Sequence, residues 1–125
     1  MGAPASFRGS VHGAAQGLTS RIARARHPEE VLALVRRHLR VFDHIHTTTC
    51  LYMLAKLRGL RRADYAAAPA FGGLVRQHCR HLDGGALDGR QLANTLWAVA
   101  ACPQAPGAAE LLRRACPQVA RRAEG

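Results

Sequence analysis

Apolar residues recur along this chain at steps of three and four, the spacing that gathers side chains on one face of an α-helix. One stripe runs through Val31, Leu34, Val35, His38, Leu39 and Phe42. A second, with the same offsets, takes Phe71, Leu74, Val75, His78, Cys79 and Leu82, and a third takes Ala108, Leu111, Leu112, Ala115, Cys116 and Val119. The likeness goes beyond hydrophobicity. Residues 34–40 read LVRRHLR and residues 74–80 read LVRQHCR, identical at five of seven positions. The copies recur after about 40 and then about 37 residues, a period of helical-hairpin arrays.

Between these first-type helices lies a second type, clearest at residues 45–57 and 90–102, where Leu51 matches Leu96, Tyr52 matches Trp97 and Ala55 matches Ala100. A looser copy occupies residues 11–24. The punctuation agrees. Pro28, Glu29 and Glu30 suit a first helical turn, and Asp43 and Asp88 stand at N-cap positions, with Gln91 completing a capping box. Gly59 is placed to close the helix ending near Arg58, and Pro103 to stop the one ending near Cys102. Gly84, Gly85 and Gly89 mark a longer turn, Asp64 can cap a short helix through Ala68, and Pro117 is expected to interrupt the last helix. Strand patterns are absent. The expectation is a single all-α domain. It divides into a basic segment (1–26, with a weak second-type helix), a first full repeat (27–59), a connection (60–70), a second full repeat (71–103) and a terminal half repeat (104–125).

Composition adds a charge argument. The 125 residues are 48% hydrophobic and 21% charged, ordinary globular usage that excludes wholesale disorder, and no run is long and apolar enough to span a bilayer. Lys and Arg number 18 against 8 Asp and Glu, a net charge of +10, and Lys56 is the single lysine. Such an excess attracts polyanions: nucleic acid, an anionic membrane surface or an acidic protein. The first 28 residues hold no acid but carry Arg8, Arg21, Arg24 and Arg26, a composition resembling an organellar transit peptide or basic folded structure. The four cysteines form no C-x-x-C pair and fall in or beside apolar stripes, which points to a reducing compartment and buried thiols rather than a disulfide framework or zinc ribbon.

At two segments, residues 92–100 (LANTLWAVA) and 45–57 (IHTTTCLYMLAKL), the sequence resembles the octotricopeptide repeat family and the related repeats that precede RAP domains in FAST-kinase-like organellar proteins. The resemblance covers about three quarters of the chain. It implies a short α-solenoid of helical hairpins of about 38–40 residues each. It also implies RNA binding in a mitochondrion or chloroplast. About three repeats would specify only about three nucleotides at one base per repeat. A small fixed subunit of an organellar ribonucleoprotein, such as a ribosome contacting rRNA and neighbouring proteins, therefore fits better than a lone sequence-specific factor. The alternative is a non-catalytic scaffold subunit of an organellar membrane complex, respiratory or photosynthetic, that binds no RNA.

The candidate phosphate contacts are arginines on the polar side of the first-type helices: Arg36, Arg37 and Arg40, then Arg76 and Arg80, then Arg113 and Arg114. Stacked side by side, they would form a basic stripe across the array. Tyr52 and Trp97 are candidate base-stacking residues, or packing residues; Thr49 and Asn94 are candidates for base edges, or for bonds across a hairpin. His38 and His78 lie on the apolar face and are expected as hydrogen-bonded core histidines. No spacing converges four zinc ligands, no base stands near a nucleophile, and no phosphate-binding glycine loop is present. The expectation is a protein without catalytic residues, metal or cofactor.

Overall fold

The computed structural model describes residues 17–58 and 68–124; every regular element among them is helical and none is a strand. The helices are α1 (17–23), α2 (Pro28–His38, followed by a 3-10 turn Leu39–Val41), α3 (His44–Lys56), α4 (Pro69–Asp83), α5 (Gly89–Ala101) and α6 (Ala108–Glu124). The expected helix at Asp64, the closing role of Gly59 and most of the basic N-terminal segment lie outside the described residues.

Local sequence explains most boundaries. Pro28 opens α2 with Glu29 and Glu30 in its first turn, where a missing N–H costs nothing and acids meet the positive end of the helix dipole. Asp43 caps α3, its carboxylate accepting from Ile45 N and His46 N at 2.9 and 3.0 Å, and His46 Nδ1 accepts back from Asp43 N at 3.0 Å. Asp88 and Gln91 form the same reciprocal box at the start of α5. Each box satisfies N–H groups the helix leaves open, worth about 1 kcal/mol. Cys102 caps the end of α5 just before Pro103.

Three expectations need correction. The first stripe does not run as one α-helix to Phe42: the backbone breaks at His38 (φ −124°) into the 3-10 turn. Gly89 is not part of the turn but the first residue of α5, whereas Gly85 (φ +70°) supplies the left-handed step. Pro117 does not end the last helix, which continues through it. Proline costs α6 one hydrogen bond and about 3 kcal/mol. The turns beyond it are nevertheless tied down. Gln118 Nε2 donates to the Leu82 carbonyl, Arg122 Nη2 donates to the Leu87 carbonyl at 2.8 Å, and Val119 packs on the core.

The end of α3 carries backbone strain. Arg58 adopts φ +63°, with its N–H bonded to Ala55 O at 3.0 Å. A side chain in this left-handed conformation costs about 1–2 kcal/mol, and glycine is the usual occupant after a helix end. Arg58→Gly is therefore expected to raise stability by about 0.5–1 kcal/mol, the relief exceeding the added unfolded-state entropy. An unchanged urea midpoint would show that the strain is not borne there.

Packing follows the two sequence types. The first-type helices α2, α4 and α6 touch in succession, and the second-type helices α3 and α5 pack along each other; α3 also contacts α2 and α4, and α5 contacts α6. One core threads both rows, with Ile22, Val35, Leu54, Leu74, Leu82 and Ala115 among its most deeply buried members. Among the described residues, no helix is long and apolar enough to cross a membrane.

Candidate polyanion-binding face and a buried histidine relay

The expected arginine stripe divides into two groups. Arg36, Arg37, Arg40, Arg76 and Arg80 are exposed, and none makes an ion pair with a described residue. Arg36 and Arg76 hold equivalent places on α2 and α4 and border the same shallow groove, floored by Val35, Leu39 and Gly73. Arg76 also borders the next groove, beside Pro106 and Gly107. Arg37 instead lines an open cleft with Arg21, Arg24 and Glu30.

Arg113 and Arg114 are engaged by acids. Arg113 pairs with Glu110 one turn earlier; Arg114 pairs with Asp83 at the end of α4 and, at 2.7 Å through Nε, with Glu110. The hydrogen bond from Arg114 holds the Glu110 carboxyl below its ordinary range. Arg114 thus fastens α6 to α4. Its equivalent on α4, Gln77, does the same one helix earlier, donating to the Leu39 and Phe42 carbonyls at 2.8 Å each. This recurring tie was hidden in the sequence because glutamine and arginine share a place without sharing an identity.

The candidate base contacts are partly occupied within the fold. Tyr52 and Trp97 face each other across α3 and α5, ring centroids 4.9 Å apart and planes tilted by 39°. Trp97 still exposes 46% of its surface. Thr49 donates its hydroxyl to Ile45 O at 2.7 Å, which leaves it only as an acceptor for an outside group. Asn94 is half-buried on α5.

Compared with known proteins, the chain matches no family model, no curated protein and no solved structure. The residues must therefore carry the argument.

The structure also assembles a polar relay that the sequence reading located only in part. His78, fully buried on α4, makes 2.8 Å contact with Thr47 Oγ1 through Nδ1 and 2.9 Å contact with Thr95 Oγ1 through Nε2. Thr95 donates its hydroxyl to Gln91 O at 2.9 Å, so it accepts from His78 Nε2–H. His78 Nδ1 is then the acceptor for the Thr47 hydroxyl, whose proton takes this shorter contact over the His44 carbonyl at 3.4 Å, and Thr47 in turn accepts from His81 Nδ1–H at 3.1 Å. One direction of donation satisfies the whole chain with both imidazoles neutral. Burial pushes the His78 pKa down to about 3, with His81 and His44 adding to the effect. Burial likewise lowers His81. The relay joins α3, α4 and α5, and it bears out the core role expected of His78. His38 differs: it is only half-buried, and its Nε2 finds no partner among the described residues.

The thiols divide in the same way. Cys50, Cys79 and Cys102 are buried, and burial pushes Cys50 and Cys79 upward, away from the reactive thiolate. Cys116, expected on a covered stripe, is exposed. Among the described residues, no group of three or more His, Cys, Asp or Glu side chains is arranged to hold a metal ion.

Proposed function

We propose that this chain is a short α-solenoid of octotricopeptide-like helical hairpins that binds RNA mainly through its phosphate backbone. In this reading it is a small non-catalytic subunit of an organellar ribonucleoprotein, mitochondrial or chloroplast, such as a ribosome. The carrying observation is the set of exposed arginines, Arg36, Arg40, Arg76 and Arg80, which recur on α2 with its 3-10 turn and on the adjacent α4 without acidic partners among the described residues. Guanidinium groups left without acids, two of which (Arg36 and Arg76) border one groove, suit a polyanion that crosses the helices. Arg113 contributes less because Glu110 neutralises it, and Arg114 least because it ties α6 to α4.

Binding of a short single-stranded RNA to the intact chain tests the reading. The slope of log affinity against log salt is expected near −3, about −0.7 for each of four phosphates. Replacing Arg36, Arg40, Arg76 and Arg80 together by glutamine is expected to flatten that slope and weaken binding about 100-fold at low salt. Salt-independent affinity, or a quadruple variant that binds as well as the parent, would overturn RNA binding and leave the scaffold reading.

A further inference from the structure

One place on the first-type helices serves as a tie twice and is left over once. Gln77 on α4 and Arg114 on α6 each bind the end of the first-type helix before them. Arg37 holds the same place on α2. It makes no ion pair or side-chain hydrogen bond with a described residue. It lines instead a cleft of about 540 Å³ whose other charged residues are Arg21, Arg24 and Glu30, all exposed. Local geometry explains the grouping. Glu30, Ala33, Leu34 and Arg37 follow at steps of three and four and share one face of α2. Arg24 continues the last turn of α1, its N–H bonded to Ser20 O at 2.9 Å, which sets Arg21 and Arg24 one turn apart on one side.

These arginines have little to neutralise them. Glu30 stands about 10 Å along α2 from Arg37 and pairs with none of the three. Residues 1–28 contain no Asp or Glu, so the segment leading into α1 brings no carboxylate. Three guanidiniums against one carboxylate leave two positive charges in the cleft, on forks that match phosphate oxygens in pairs. A phosphodiester within a strand carries a single negative charge. A terminal phosphate monoester carries about two, with three strong acceptor oxygens. The charge in the cleft fits the monoester.

We propose that this cleft holds the terminal phosphate of an RNA, with Arg21, Arg24 and Arg37 donating to its oxygens. Glu30 repels any phosphate placed further along, which favours a strand's end over its continuation. The proposal rests on the RNA reading. Arg36, the neighbour of Arg37, borders the α2–α4 groove with Arg76, so α2 is the ridge between the diester contacts and the strand's end.

Three forms of one single-stranded RNA of about ten nucleotides, titrated against the full chain, test this: one with a 5′-phosphate, one with a 3′-phosphate and one with hydroxyls at both ends. One phosphorylated form is expected to bind at least about tenfold tighter than the hydroxyl form. The triple variant Arg21→Gln/Arg24→Gln/Arg37→Gln is expected to bring that ratio close to one. Glu30→Gln removes the opposing charge and is expected to raise the ratio about threefold. Because the ratio is read within each variant, a general loss of affinity does not move it. Equal affinity of the parent for all three forms overturns the terminal-phosphate site and leaves RNA binding standing, whereas no binding of any form overturns both. A ratio that survives the triple substitution puts the phosphate elsewhere and overturns the proposal. Adenosine 5′-monophosphate binding as tightly as the phosphorylated RNA overturns it in favour of a free nucleotide.

Discussion

Lowering the pH from 7 to 4 is expected to cost the fold about 3 kcal/mol through His78 alone. The sign follows from which state takes up the proton. Unfolded, His78 titrates at its ordinary value of 6.5; folded, burial holds it to about 3. Between those limits the unfolded chain binds the proton and the folded chain does not. The stability is therefore fully present above pH 6.5 and is lost as pH falls toward 3. About 2 kcal/mol is gone by pH 5. Geometry explains why the folded state refuses the proton: Nδ1 already accepts from the Thr47 hydroxyl, and a proton there would also face His81 and His44. Urea unfolding as a function of pH checks this, with His78→Leu as the comparison. That variant is expected to lose about 1–3 kcal/mol at pH 7, because two buried hydrogen bonds disappear, and to show a much flatter acid limb. An acid limb as steep as the parent's would assign the effect to other groups.

Gly107→Ala is expected to destabilise the chain by about 3 kcal/mol, combining backbone strain with overpacking. Gly107 sits at φ +86°, immediately before α6, and its carbonyl accepts from Leu111 N at 2.9 Å. A methyl group there would stand 2.8 Å from Val75 Cγ1, closer than side-chain carbons tolerate. Two independent costs therefore fall on one residue. The double variant Gly107→Ala/Val75→Ala separates them. Removing the valine methyls relieves the collision but not the left-handed backbone, so the second substitution should cost less in the Gly107→Ala background than in the parent. Strict additivity in urea unfolding would show that the two residues do not meet.

Much of the fold was legible from short-range signals. The stripes from Phe71 to Leu82 and from Val31 to Val35 are buried as their spacing requires. Asp43, Asp88 and Pro28 mark helix starts through chemistry that acts within four residues. What failed depended on distant partners. Pro117 reads as a break because proline removes a local hydrogen bond; the anchors that carry α6 through it, Leu82 O and Leu87 O, lie 35 or more residues away. Arg58 takes a conformation its own side chain disfavours.

The candidate site shows the same division. Arginine positions are readable because they recur at equivalent places in the sequence, yet nothing near Arg114 announces that Asp83 engages it. His78 was recognisable as a core histidine from its place on an apolar face. Its partners were not, because Thr47 and Thr95 sit on two other helices, 31 and 17 residues away. Tyr52 and Trp97 were matched as equivalents from the sequence, but only the packing of α3 along α5 brings their rings to 4.9 Å.

By itself, then, the sequence determined that this chain is helical, where most helices begin, which faces are apolar and how much positive charge the molecule carries, since each follows from local periodicity, capping chemistry or counting. The tertiary structure alone decided which arginines remain available and which serve as ties. It alone closed the histidine relay and left Leu112 and Cys116 uncovered, because those outcomes depend on which helix lies beside which, and no short-range signal encodes a neighbour.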